Sequence, residues 1–209
     1  MKKLVTISRQ YGSGGRIIGK LLADKLGVPF YDKEILDMAS EESGYSRELM
    51  EGTELKAKSS FAYNLSSALS FNEGVSGSPL SVNERLFLAQ FETIKRIGSK
   101  GEGVIVGRCA DYVLRDMPGV TNVFIHAELE DREKRAAEVY GDDPAKVRDI
   151  IATYDKARQN YYNYHTDQKW GEYKNYNLSL NSSYISEDEA AALIAAYVEH
   201  RRYKGGKEE

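Results

Sequence analysis

Four residues near the N-terminus, Gly12-Ser13-Gly14-Gly15, constrain the fold of this chain more than any other feature. A β-branched run at residues 4–8 precedes them and predicts a strand, and apolar residues at helical spacing over 16–26 follow and predict a helix. Glycines in such a turn let backbone N–H groups converge beside the positive end of the helix. We therefore expect Gly12, Ser13, Gly14, Gly15 and Arg16, here called the glycine loop, to bind phosphate. A plain tight turn is the structural alternative.

The rest of the chain alternates between strand and helix patterns. Further strands are predicted over residues 28–32, 103–106, 120–126 and 178–180, and further helices over 33–42, 81–97, 130–140, 143–161 and 186–200. Two of these helices open with capping boxes, Ser81-Val82-Asn83-Glu84 and Ser186-Glu187-Asp188-Glu189. Strands that alternate with helices predict an α/β fold of three layers, in which helices cover both faces of a parallel sheet.

Length and composition set the class of protein. The 209 residues can form a single domain spanning 1–209, and the Ser-, Asn- and Gly-rich stretch 44–79 is interpreted as a mobile insertion in it. The net charge of −3 argues against a general nucleic-acid binder. One cysteine and three scattered histidines give no metal-ligand spacing. No apolar run approaches the length of a membrane span, and no signal peptide is recognisable, so we expect a cytoplasmic protein without membrane partners.

Three polar features follow predicted strands. The glycine loop comes after the first strand, Asp32 after the second and Arg108 after the strand at 103–106. Ligands of parallel α/β sheets bind beyond the carboxyl ends of the strands. These features are therefore expected to lie near one ligand, although Arg108 could simply pair with a neighbouring acid.

The glycine loop departs from the phosphate-binding consensus G-x-x-x-x-G-K-[ST]. If Gly14 is the second glycine, Arg9 stands at the first, Gly15 replaces the lysine and Arg16 replaces the hydroxyl residue. Arg16 could supply the missing positive charge, as could Arg9 from the other end of the loop. Ser8 or Ser13 could offer a hydroxyl.

A dinucleotide fingerprint, G-x-G-x-x-G, is the competing interpretation. Gly12 and Gly14 match its first two glycines, but the third position is Ile17. Asp32 stands about where the ribose-binding acid belongs. Nothing in a dehydrogenase would explain the arginines further along the chain.

Several motifs together resemble the cytidylate kinase-like family, a divergent branch of the nucleoside monophosphate kinases in the P-loop fold. They are ISRQYGSGGRIIGKLLADKL at residues 7–26, Phe30-Tyr31-Asp32-Lys33-Glu34, Val104-Ile105-Val106-Gly107-Arg108 and Asp155-Lys156-Ala157-Arg158. The resemblance extends over nearly the whole chain, with the motifs in the right order.

The resemblance implies a kinase that moves the γ-phosphate of ATP to a nucleoside monophosphate, CMP or dCMP, with Mg²⁺ as a cofactor. It implies an acceptor-binding insertion at 44–100 and a lid at 128–165. The acceptor would be bound by Asp32, Arg108, Asp155 and Arg158. The catalytic cations would be Arg16 in the glycine loop and Arg132 and Arg135 in the lid.

Two departures from the family concern catalysis. Cytidylate kinases carry the loop lysine, and they carry Asp-Gly-Arg where this chain has Val106-Gly107-Arg108. An acid that organises Mg²⁺ is thus missing, and Ser13 or Asp111 is the candidate substitute. A nucleotide-binding sensor or regulatory protein with a degenerate loop is the alternative function.

The same residues could instead have purely structural roles. Arg132 and Arg135 share a predicted helix face and could be solvated, and Asp155 could pair with Arg158 three residues later. An aromatic segment could stack on a base or pack over the core; it comprises Tyr154, Tyr161, Tyr162, Tyr164, His165, Trp170, Tyr173 and Tyr176.

Overall fold

The computed structural model describes residues 2–56 and 80–201, and a parallel five-stranded sheet forms its centre. The strands are β1 (Lys3–Arg9), β2 (Phe30–Tyr31), β3 (Glu102–Val106), β4 (Val120–His126) and β5 (Leu178–Asn181). Their order is β2-β3-β1-β4-β5. In the central strand, Ile7 lies opposite Val106 of β3 and Val123 of β4. The carboxyl ends of β1, β2 and β3 therefore meet at one edge of the sheet.

Eight α-helices surround the sheet in the described part of the chain. They are α1 (Gly15–Leu26), α2 (Glu34–Ser43), α3 (Arg47–Lys56), α4 (Val82–Ser99), α5 (Ala110–Val113), α6 (Leu129–Glu138), α7 (Val147–His165) and α8 (Glu187–His200). Both predicted capping boxes form: the Ser81 and Ser186 hydroxyls accept the backbone N–H groups of Glu84 and Glu189. A single 3₁₀ turn, Tyr173–Asn175, precedes β5.

The alternation of side chains along the strands produces the three layers. Val5 and Ile7 of β1 pack with α1 and α8 on one face, for example with Leu22 and Ile194. Leu4 points to the opposite face, where α2, α4 and α5 pack. All of these apolar side chains are almost fully buried. The predicted three-layer α/β fold is confirmed.

Element boundaries differ from the sequence prediction in two places that matter for the site. Strand β2 contains only Phe30–Tyr31, because the backbone N–H of Asp32 donates to Glu34 rather than to a neighbouring strand. Helix α7 begins at Val147, because Asp143 folds residues 143–146 into a turn, accepting the N–H of Ala145 on its carboxylate.

The predicted insertion and lid correspond to helical parts of the chain. The range 44–100 contains α3 and α4; its residues 57–79 lie outside the described residues. The range 128–165 contains α6 and α7. Their functions as acceptor-binding insertion and lid stay predictions. None of the helices described is both long and apolar enough to span a bilayer.

Candidate phosphate-binding site

The glycine loop joins β1 to α1 and adopts a backbone that requires glycine at two positions. Gly12 and Gly14 have φ values of +76° and +75°, in the left-handed region. A Cβ atom at Gly12 would lie 2.6 Å from the carbonyl oxygen of Arg132. Gly14 is the N-cap of α1, where no side chain caps the helix, and the first turn carries no acid. The start of α1 therefore presents backbone N–H groups and a positive dipole.

A buried ion pair fixes the backbone of Tyr11, the residue that precedes the glycine loop. Arg132 in α6 and Asp155 in α7 pair with each other, and both also bind the backbone of Tyr11. Asp155 accepts the N–H of Tyr11 at 2.7 Å, and Arg132 donates to the Tyr11 carbonyl at 2.7 Å. Only 8% of the Arg132 side chain is exposed. Both residues hold the loop backbone in place.

Arg135 lies one helical turn after Arg132 and contacts the glycine loop at Gly12. Its guanidinium donates to the carbonyl of Gly12 at 2.8 Å and pairs with Glu187 at 3.0 Å. A Cβ atom at Gly14 would lie 3.3 Å from Arg135 Nε. Two cationic side chains of α6 thus bind the backbone of residues 11 and 12, although this helix lies more than a hundred residues away in sequence.

Tyr140, just beyond α6, also lies at the loop. Its ring packs edge-on against Tyr11, with centroids 5.6 Å apart. Burial raises the pKa of its hydroxyl; Arg135, Arg158, the Gly14 N–H and Arg9 act in the opposite direction. The hydroxyl therefore lies near Arg135, Arg158 and Arg9 of the site.

Arg16 and Asp32 are joined across the gap between α1 and the end of β2. Arg16 Nε lies 2.6 Å from Asp32 Oδ2. The arginine side chain is 60% exposed, whereas the carboxylate is 7% exposed. The Arg16 side chain is therefore held toward Asp32 in this structure, while its backbone belongs to the first turn of α1.

The turn after β3 has an unusual backbone. Gly107, Arg108 and Cys109 follow one another with φ values of +79°, +57° and +56°. Left-handed backbone at a residue with a side chain costs about 1–2 kcal/mol, and two occur here in succession. The turn directs Arg108 to Gln90 of α4 at 3.1 Å and to the Asp32 carbonyl at 3.4 Å. Such strain is typical of functional turns.

Arg158 approaches the same place from α7. It donates to the carbonyl of Arg9 at 3.2 Å, lies 3.9 Å from Asp155, and stands over the Tyr11 ring at 5.5 Å from its centre. Its side chain is 16% exposed. Tyr11 itself stacks on Tyr154, with centroids 4.5 Å apart.

These groups surround a cleft of about 290 Å³ at the carboxyl edge of the sheet. Cationic side chains outnumber acidic ones in its wall, which is formed by Arg9, Tyr11, Arg16, Asp32, Lys33, Glu51, Arg108, Tyr154, Ala157 and Arg158. A second cleft of about 250 Å³ lies between α6 and the residues after β5, with Arg135, Ser182 and Ser183 in its wall. The larger cleft includes Arg16 of the glycine loop, and the second includes Arg135 and Ser182, which donate to the carbonyls of Gly12 and Ser13.

The predicted site residues fall into three groups. Arg16, Asp32, Arg108 and Arg158 line the larger cleft together. Arg132, Arg135 and Asp155 contact the backbone of residues 11 and 12. The predicted roles of both groups stay predictions.

The third group comprises the candidate metal ligands. The Ser13 side chain is completely buried, and its hydroxyl donates to the Gln10 carbonyl at 2.9 Å. Asp111 is 5% exposed and accepts the Tyr162 hydroxyl at 2.7 Å. Burial raises the pKa of Asp111 to about 6. Within residues 2–56 and 80–201, His, Cys, Asp and Glu side chains form no group of three that could hold a metal. Ser13 and Asp111 are each hydrogen-bonded to other protein groups, and their roles as Mg²⁺ ligands stay predictions.

Gln90 was missed by the sequence prediction. It is 1% exposed and binds Arg108, so it fixes a candidate ligand-binding side chain. It follows Leu86 and precedes Ile94 at intervals of four residues, on the buried face of α4. A polar residue within an apolar helical stripe is the signal that could have identified it.

Comparison with known proteins gives a family and a fold. A model of the cytidylate kinase-like family matches residues 4–184. The structure is similar to that of an uncharacterized protein from Eubacterium ventriosum, with 25% identity, a TM-score of 0.69, and coverage of 95% of this chain and 99% of the other. No curated protein matches the chain.

Two enzymes show the same fold at lower identity. A shikimate kinase from Bacteroides thetaiotaomicron has 13% identity and a TM-score of 0.53, with 94% of this chain and 98% of the other covered. A sugar kinase from Janibacter sp. has 13% identity and a TM-score of 0.52, with 95% of each chain covered. At this identity the likeness concerns the fold alone.

Proposed function

Because the chain belongs to the cytidylate kinase-like family, we propose that it transfers the γ-phosphate of ATP to a nucleoside monophosphate, CMP or dCMP. One observation carries the proposal. Arg108 and Arg158 come from separate elements and line one cleft with Asp32, immediately beside the glycine loop. This arrangement supports an acceptor site next to a phosphate site.

The charges of the larger cleft suit a monophosphate. Five cationic side chains and two carboxylates line it. Guanidinium groups bind phosphate oxygens in a bidentate manner, and Arg108 and Arg158 are half-buried, where such contacts are stronger than in water. The acceptor phosphate is therefore assigned to these two arginines.

Asp32 supplies a group for the base. A carboxylate has four lone-pair positions, so Asp32 can accept Arg16 and a second donor together. The exocyclic amino group of cytosine is such a donor, and carboxylates recognise it in nucleic acids. The acceptor base is thus assigned to the Asp32 side of the cleft.

The glycine loop and the second cleft would bind the donor. Backbone N–H groups at the uncapped start of α1 suit the ATP phosphates, and Arg135 lies between this loop and the cleft near Ser182. Mg²⁺ would enter as part of the MgATP substrate. Phosphoryl transfer depends mainly on positioning and on positive charge around the transferring group, and the arginines supply both.

Binding without efficient transfer is the second candidate. Gly15 and Arg16 occupy the consensus positions of the lysine and the hydroxyl, and Asp32 holds the Arg16 side chain. A protein that only senses nucleotides would need the arginine cleft and no transfer chemistry.

A turnover assay separates the two functions. Purified protein is incubated with MgATP and, in turn, with each common ribo- and deoxyribonucleoside monophosphate, and ADP and the nucleoside diphosphate are quantified. A kinase forms both products in equal amounts, with CMP or dCMP preferred. If no acceptor reacts but nucleotides raise the melting temperature, the binding function is correct and the kinase proposal is wrong.

A further inference from the structure

The side chain of Arg9, at the end of β1, passes between two glycines. A Cβ atom at Gly15 would lie 2.6 Å from Arg9 Cβ and 3.1 Å from Arg9 Cγ. A Cβ atom at Gly107 would collide with Arg9 Nη1 and lie 3.0 Å from Cζ. The aliphatic stem of Arg9 thus fills the space at Gly15, and its guanidinium reaches the turn after β3.

Backbone conformation does not explain the glycine at position 15. Gly15 is the first residue of α1, and it is absent from the glycines with positive φ. Within a helix glycine is less favourable than alanine. Gly107, in contrast, has a φ of +79° and needs glycine on that ground as well. The close approach of Arg9 is therefore the physical reason for a glycine at position 15.

Positions 9 and 15 can be compared with the phosphate-binding consensus. In G-x-x-x-x-G-K-[ST], the residue at position 9 is glycine and the residue at position 15 is lysine. This chain has arginine at the first and glycine at the second. Relative to the consensus, the cation and the glycine are interchanged, and the Arg9 side chain occupies the space beside position 15, where the consensus has lysine.

The Arg9 guanidinium lies in a field that favours an anion. Arg9 lines the larger cleft together with Arg108 and Arg158, and its stem lies against the first residue of α1, a helix with no acid in its first turn. Arg158 also donates to the Arg9 carbonyl. Three guanidinium groups beside a helix N-terminus favour the binding of an anion in this cleft.

We propose that Arg9 is a catalytic residue that contacts the transferred phosphoryl group in place of the absent loop lysine. The proposal rests on the kinase function proposed above. An oxygen of the acceptor monophosphate forms a bond to the γ-phosphorus of ATP, and the bond from that phosphorus to the β–γ bridging oxygen breaks. ADP leaves with the electron pair. The acceptor phosphate is largely dianionic at pH 7, so no proton must be transferred first.

Arg9→Gln tests the charge while it keeps most of the stem that packs on Gly15. Isothermal titration measures the affinities of ATP, of adenosine and of CMP for the wild type and the variant. We expect the affinity for ATP to fall about 10- to 100-fold, as for the loss of one charge-assisted hydrogen bond. The affinity for adenosine should not change, because adenosine has no phosphate. A purely structural role of Arg9 would weaken both ligands.

Two matched arginine variants accompany the test. Arg16→Gln removes the competing cation, which Asp32 holds, and should change ATP affinity less than threefold. Arg148→Gln removes an arginine whose side chain is 70% exposed and should change nothing.

A positional exchange provides a second variant should Arg9→Gln fail to fold. The double substitution Arg9→Gly/Gly15→Lys moves the cation to its consensus position and removes the stem that would collide with it. It should retain ATP affinity within about tenfold of the wild type, whereas Gly15→Lys alone should lose folding stability.

The outcomes separate this inference from the proposed function. A wild type that binds ATP, with an Arg9→Gln variant that binds it equally well, overturns the role of Arg9 alone. The same holds if only CMP affinity falls, because Arg9 would then serve the acceptor. A wild type that binds no nucleotide overturns the proposed function together with this role.

Discussion

Arg16 Nε and Asp32 Oδ2 lie 2.6 Å apart, so an exposed arginine of the glycine loop is joined to a buried carboxylate that directly follows β2. This pair connects the proposed phosphate site to the proposed acceptor site. It also means that the Arg16 side chain serves the acceptor side, whereas its backbone N–H belongs to the loop. The assignment of Arg9 to the transferred phosphoryl group is consistent with this division.

Arg16→Ala is expected to weaken the acceptor more than the donor. Without the guanidinium, Asp32 keeps its charge but loses the group that orients it, so the KM for the monophosphate should rise about 10-fold. The KM for ATP should stay within threefold, and stability should change by less than about 1 kcal/mol because the pair is exposed on one side. Steady-state kinetics with each substrate varied in turn provide the measurement. A larger rise in the KM for ATP would place Arg16 on the donor side.

Arg108→Ala should affect monophosphate binding selectively. Arg108 is oriented by Gln90 and by the Asp32 carbonyl, away from the second cleft. Removing its charge should cost about 1.5–3 kcal/mol of acceptor binding and leave ATP binding almost unchanged. Calorimetric titration with CMP and with ATP tests this. Equal losses for both ligands would contradict the acceptor assignment.

Gln90→Leu tests whether Gln90 orients Arg108 for acceptor binding. Leucine has a similar size, but it removes the amide oxygen that accepts Arg108. Acceptor affinity should fall by less than it does in Arg108→Ala, since the charge remains and only its orientation is lost. If Gln90→Leu has no effect on acceptor binding, Gln90 does not position Arg108.

Asp155→Ala should destabilise the protein and loosen the glycine loop. It removes the acceptor of the Tyr11 N–H and leaves Arg132 buried without its carboxylate. Breaking a buried pair from one side typically costs about 3–5 kcal/mol. Denaturant unfolding gives the loss of stability, and hydrogen exchange at residues 10–14 should become faster. Lys20→Ala, which breaks an exposed pair with Asp24, is the matched control and should cost less than about 1 kcal/mol. An intact exchange pattern in Asp155→Ala would show that other contacts hold the loop.

The raised pKa of Asp111 predicts that folding stability depends on pH. Burial raises its pKa from 3.8 to about 6 in the folded state, so the folded protein keeps a proton that the unfolded chain loses. Its contribution is therefore favourable below about pH 4 and is lost as the pH rises through about 6. Asp111→Asn, which still accepts from Tyr162, should be more stable than the wild type at pH 7.5, by about 2–3 kcal/mol, and nearly equal to it at pH 4.

The comparison must be made between variant and wild type at each pH. Partial burial lowers the pKa of His165 to about 3, so its contribution to folding stability is lost in the opposite direction, as the pH falls below about 6.5. Subtraction removes this common effect. A stability difference that is the same at pH 4 and at pH 7.5 would show that Asp111 does not titrate in this range.

The sequence by itself determined the fold and the edge of the sheet at which the candidate residues lie. Hydrophobic periodicity and two capping boxes predicted most of the elements, because burial of one face and satisfaction of helix N–H groups are local requirements. The predicted family and the predicted three-layer α/β fold are confirmed. The glycine loop, Asp32 and Arg108 were correctly expected at one edge, because parallel strands bring their carboxyl ends together.

Only the tertiary structure decided which arginine serves which partner. Arg132 binds Asp155 and the Tyr11 carbonyl, Arg16 binds Asp32, and Arg9 passes between two glycines. These contacts join residues up to 121 positions apart. A guanidinium can reach several acceptors from any one backbone position, so its partner depends on how helices pack against the sheet, which spacing along the chain does not encode.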